Sequence, residues 1–193
     1  MSEQELSKDE SLELISDMIS QAKRNLARGG SFYFLLWGWV VMLANLGHYL
    51  IDKYDLSPYP YFVWILTIPA AIASMVYGAK RGKNAKVKGY LDRVYGLVWL
   101  GVMVSVLIIL FFMGQVNYNT NAIILTFAGL GTFISGCMLR FSPLIMGGVA
   151  LWVASVVAFN LAPVDQYLVG AVGILAGYLV PGYLLKKVES EQV

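Results

Sequence analysis

The chain has 193 residues, 58% of them hydrophobic and 13% charged, with a mean hydropathy of +0.65. A soluble domain carries about 25% charged residues, so the composition excludes an ordinary water-soluble globule and points to a chain whose solvent is largely lipid. The formal net charge of +2 gives no bulk attraction to nucleic acid, and the single cysteine, Cys137, excludes an intramolecular disulfide framework and a cysteine-based zinc site.

The first thirty residues lack the basic start, short apolar middle and small-residue cleavage site of a signal peptide. Membrane insertion is therefore expected to begin with the first apolar helix. Residues 1–30 read as a cytoplasmic segment dominated by one amphipathic helix, from about Lys8 to Arg28. Ser7 and Glu10 have the spacing of a capping box, in which the Ser side chain and the Glu carboxylate each satisfy a free backbone N–H. Leu12, Ile15, Ile19, Ala22 and Leu26 follow a 3-4-3-4 spacing that gathers them on one stripe. Asp9, Glu10, Glu13 and Asp17 come early and Lys23, Arg24 and Arg28 late, the order that complements the helix dipole. Gly29-Gly30 then ends the helix.

Six apolar runs follow: Phe32–Ile51, Tyr61–Gly78, Val94–Met113, Asn121–Leu139, Leu144–Leu161 and Tyr167–Leu185. Each has about the length needed to cross a hydrocarbon core of roughly 30 Å. Between the fourth and fifth, Ser142 as N-cap with Pro143 at the first helical position predicts a sharp restart. Asp52–Pro60, Gly114–Thr120 and Ala162–Gln166 are expected as turns on one side, and Ala79–Arg93 as the longest connection on the other. The expected fold is all-α and polytopic: a transmembrane bundle of six helices over residues 31–185, preceded by the cytoplasmic amphipathic helix and followed by a short cytoplasmic tail, 186–193.

Charge sets the expected orientation. Of the 14 Lys and Arg, 13 fall in the N-terminal segment, the second inner connection, Arg140 and the tail, and only Lys53 lies on the other side. Short connections rich in Lys and Arg stay in the cytoplasm, so both termini are expected inside, and the compact form with short loops points to a bacterial inner membrane. Tyr and Trp residues cluster near the predicted ends of the runs, the depth that suits a ring with a polar tip.

The apolar runs hold no Asp, Glu, Lys or Arg. Intramembrane ionisable groups mark proton relays and ion paths, so a pump built on buried carboxylates is not expected. His48 is the only histidine, and Asn45, His48 and Asp52 share a stripe; with Asn160 they form a candidate polar face. That face could line a polar entrance, with His48 and Asp52 as a pH-sensitive pair. The commoner arrangement is a helix contact in which Asn45 bonds a neighbouring helix. Pro69 falls mid-way along the second run and is the candidate hinge, although such a kink is more often static; Pro181 predicts another kink near the end of the sixth. Small residues recur at close-packing spacing in Ala70-x-x-x-Ser74-x-x-x-Gly78, Ala150-x-x-x-Ala154-x-x-x-Ala158 and Gly173-x-x-x-Gly177. Lys80, Arg81, Lys83, Lys86 and Lys88 form a basic cluster suited to lipid headgroups. It lacks the interleaved aromatics of a nucleic-acid site.

No catalytic motif can be assembled from one His and no buried acid, and no cofactor or metal site is expected. The sequence favours a non-enzymatic interaction or regulatory membrane subunit. Its partner is the bilayer together with a second copy or a cytoplasmic protein docked on the stripe from Leu12 to Leu26. The alternative is a small transporter or channel for a neutral or weakly polar solute.

Overall fold

The computed structural model describes residues 29–84 and 90–191, the side chains of 83, 84 and 90 excepted. The N-terminal amphipathic segment with its stripe, and Lys86 and Lys88, lie outside the described residues. Among the described residues six helices are long and apolar enough to cross a membrane, so by helix length and hydropathy this is a multi-pass membrane protein. Helix α1 is Gly30–Lys53; α2, Thr67–Asn84, is entered through a 3-10 stretch, Pro60–Leu66; α3 is Tyr90–Phe111, α4 Thr120–Leu139 and α5 Ser142–Phe159. The sixth, α6, covers Pro163–Glu191, with a π-helical turn at Leu175–Leu179 between two α-helical stretches.

The helices run beyond the apolar segments that announce them. Lys80 and Arg81 are good helix formers and extend α2 past Gly78, which shortens the connection expected over Ala79–Arg93. Pro163 starts α6, its missing N–H harmless at a helix start, and Asp165 in the first turn complements the dipole. Residues 162–166 are therefore mostly helix rather than turn, and 186–191 are helical in continuation of α6. Pro69 is the third residue of Thr67–Asn84, where the 3-10 stretch passes into α-helix. It sits at the α-helical start, where a proline fits with little distortion, and not mid-helix.

The join between α4 and α5 is also tighter than expected. Arg140 adopts φ +51°, and the N–H groups of Arg140 and Phe141 donate back to the Cys137 and Gly136 carbonyls at 3.2 and 2.9 Å. This turn closes α4 through the backbone. Phe141 then takes the N-cap of α5, Ser142 lies inside the first turn, and no side chain caps the helix.

α6 is the centre of the packing, touching α1, α4 and α5; α2 packs on α1, and α3 on α4, while among the described residues α2 and α3 share no substantial interface. The hydropathic windows of α4 and α6 are 44% and 56% buried, that of α2 6%, and that of α3 0%. Phe34, Leu125, Leu144, Leu151 and Leu185 fill the core. Close approach depends on glycine. A Cβ on Gly148 would lie 2.7 Å from the Phe133 nitrogen and 2.8 Å from the Gly129 oxygen, and one on Gly147 would lie 2.6 Å from the Gly177 oxygen. Gly177 belongs to the π turn, and Pro181, four residues on, has no N–H to offer the Gly177 carbonyl. The proline and the wide turn meet α5 at the same place.

Both ends of α1 are fastened to α6. At the basic end, which carries Lys80, Arg81, Lys186 and Lys187, the Ser31 N–H and hydroxyl donate to the two Glu189 carboxylate oxygens at 2.9 and 2.6 Å. An anion there satisfies a free N–H of α1 and suits the positive end of its dipole. At the opposite end Lys53 pairs with Asp165 at 3.0 Å, both partly exposed.

Candidate functional site

One group of polar side chains inside the bundle converges near the less basic end, where α1, α4 and α6 meet; Ser31, Thr132, Ser135 and Ser155 are buried elsewhere. Asn45 is 1% exposed. Its Nδ2 donates to the Val41 carbonyl at 2.9 Å, and its Oδ1 accepts from Asn121 Nδ2 at 2.8 Å. Asn121 also donates to the Gln166 backbone oxygen at 2.8 Å, so one amide on α4 holds α1 and α6 together. Gln166, fully buried, donates through Nε2 to Asn119 Oδ1 at 2.8 Å and to the Leu161 carbonyl at 3.3 Å. Gly170 makes room for the pair: a Cβ there would lie 2.6 Å from Asn121 Nδ2 and 2.7 Å from Asn45 Oδ1.

One turn beyond Asn45, His48 Nδ1 accepts from Trp64 Nε1 at 3.0 Å, and its ring stacks on Tyr167 with centroids 3.8 Å apart. An accepting Nδ1 places the proton of a neutral imidazole on Nε2. The 3-10 stretch before α2 is thereby tied to α1, and through the stack to α6.

The predicted polar face is therefore only half assembled. Asn45 and His48 lie on one buried stripe, but Asp52 is exposed at the end of α1, and Asn160 is exposed and donates to the Val156 carbonyl of its own helix at 2.7 Å. Pro69 is exposed on α2, away from the amides. Lys80 and Arg81 stand at the basic end, and nothing is described of the Lys83 side chain. The partners that complete the cluster, Asn119, Asn121, Gln166, Trp64 and Tyr167, were not expected in it. Their signal was position: each lies at or beside the end of an apolar run, as His48 does.

Chemically the cluster consists of neutral amides, one imidazole and two aromatic rings, with most donors and acceptors answered from within. Gln166 Oε1 and Thr120 Oγ1 are the buried side-chain atoms left without a partner among the described residues. The described residues contain no group of three His, Cys, Asp or Glu placed to hold a metal. The arrangement binds helices to one another, and it offers no carboxylate to carry a proton. In comparisons with protein families, with curated proteins and with solved structures, nothing matches this chain.

Proposed function

We propose that the protein is a non-enzymatic interaction or regulatory subunit of the membrane, a bundle that presents its N-terminal segment at the basic, cytoplasmic side. One observation supports this reading above the others: Asn45, the residue best placed by sequence to line a polar path, is 1% exposed and held by Asn121 at 2.8 Å. A solute path would need Asn45, Asn160 and Pro69 to face one space, yet Asn160 bonds its own helix and Pro69 is exposed on another. Polar groups of the spans join helices: Asn121 ties α4 to α1 and α6, Trp99 Nε1 donates to Ser135 Oγ between α3 and α4, and Thr126 meets Ser155 between α4 and α5. Recognition is then left to surfaces outside the bundle's interior, and the stripe Leu12, Ile15, Ile19, Ala22 and Leu26 is the apolar surface that the sequence provides.

The test is to change Ile15 and Ile19 to Asp and purify the full chain in mild detergent beside the parent. Loss of a larger species or of a co-purifying protein is the expected result. Unchanged oligomer size and unchanged co-purifying proteins would remove the docking role.

A further inference from the structure

Two apolar grooves open on the surface at the basic end of α1, one on each side of Phe32. The first, about 430 Å³, follows a stripe of α2 through Pro69, Ile72, Ala73, Val76 and Tyr77 to Lys80. These positions recur at three- and four-residue steps, so they form a single helix face, and the 11 steps along the chain from Pro69 to Lys80 extend roughly 16 Å at about 1.5 Å per residue. That is about half of a 30 Å hydrocarbon core, the depth of one leaflet. The second, about 380 Å³, follows α1 through Phe32, Leu35, Leu36, Trp39 and Val40 and includes Lys186 of α6. Each groove is apolar along its length and has a lysine at the basic end of the bundle. Among the described residues neither Lys80 nor Lys186 is paired with a carboxylate. Between the grooves Phe32 stacks on Tyr77 with centroids 4.0 Å apart, a ring pair at the depth where aromatic residues favour the headgroup boundary.

We propose that this end of α1 is a binding site for an anionic phospholipid, with acyl chain in the grooves beside Phe32 and the phosphate answered by Lys80 and Lys186. The charge pattern selects the ligand: a cation at the headgroup end of a leaflet-long apolar groove complements a lipid with a net negative head. The site requires only that the six spans cross a bilayer, so it stands or falls apart from the role given to the N-terminal segment.

The experiment is native mass spectrometry of the full chain in detergent, offered equal amounts of phosphatidylglycerol and phosphatidylcholine. Preferential retention of phosphatidylglycerol is expected, and Lys80→Gln with Lys186→Gln should reduce that preference about tenfold. Lys187→Gln removes a neighbouring exposed lysine that lines neither groove, and should leave it intact. Ala73→Phe fills the first groove and should lower retention of both lipids, with circular dichroism reporting that the bundle persists. Equal retention of the two lipids, a preference that survives loss of both lysines, or an equal loss with Lys187→Gln would overturn the proposal. So would full competition by soluble glycerol phosphate, which would mark a site for the headgroup alone, or a second protein copy in place of lipid.

Discussion

Gly170 decides whether Asn45 and Asn121 can meet, because any Cβ there would lie within 2.7 Å of both amides. Gly170→Ala should lower stability by about 2 kcal/mol through overpacking and the lost inter-helix bond. In an Asn45→Ala background the same change should cost much less, since the atom it displaces is gone. Thermal denaturation in detergent of the four proteins checks this, and simple additivity would show that the amide pair is not what Gly170 protects. Gly101→Ala is the contrast, because a methyl there meets nothing within 4 Å. His48→Phe keeps an aromatic ring against Tyr167 but removes the acceptor of the Trp64 N–H, so a loss of about 1 kcal/mol is expected. Trp64→Phe should cost little more once His48 has been replaced, and the same denaturation series reads that coupling. Asn45 and His48 could be found from sequence because polar groups deep in an apolar run stand out. Asn121 and Gln166 could not, because a hydropathy profile falls in the same way for a buried amide at a helix start as for a loop. Trp64 looked like an interfacial ring, and only the fold shows that its N–H has a partner.

At the scale of helices, the pairing of α4 with α5 rests on contact between backbones. On Gly148 an added Cβ meets the Phe133 nitrogen and the Gly129 oxygen, neither of which can rotate away. Gly148→Val should therefore force the two helices apart and cost about 3 kcal/mol or more, read as loss of the monodisperse species in size-exclusion chromatography. Parental behaviour of the Gly148→Val protein would mean that the hairpin is looser than its geometry. The small-residue spacings were visible in the sequence, and their partners were not. A Cβ added to Gly173 would lie 2.8 Å from the Ala154 Cβ, so two of the spaced motifs pack on one another across α5 and α6. The π turn was likewise out of reach, although Pro181 announced that the last helix would be irregular. Helix ends depart from the apolar runs for one reason: hydropathy marks where lipid stops, while a helix continues for as long as its backbone bonds and propensity favour it.

For the molecule as a whole, segregation of basic residues predicts which ends share a compartment. With Cys137→Ser as background, Ser57→Cys and Ser190→Cys should label on opposite sides of the membrane with an impermeant maleimide, Ser190 from the cytoplasm. Labelling of both from one side would contradict six crossings. The six helices long and apolar enough to cross were legible because they need only hydrophobic length; the arrangement of the helices was not, because no apolar run declares its neighbour. That arrangement has a consequence in time. Ser31 is made 158 positions before its partner Glu189, and the central helix of the packing is made after the other five spans. Until it arrives, α1 has neither of its two fastenings, and the Asn121 amide lacks the Gln166 carbonyl. Assembly cannot be completed hairpin by hairpin, and a chain stopped after Phe159 would hold five spans with nothing to close them. Such a fragment should be degraded quickly in a pulse-chase experiment.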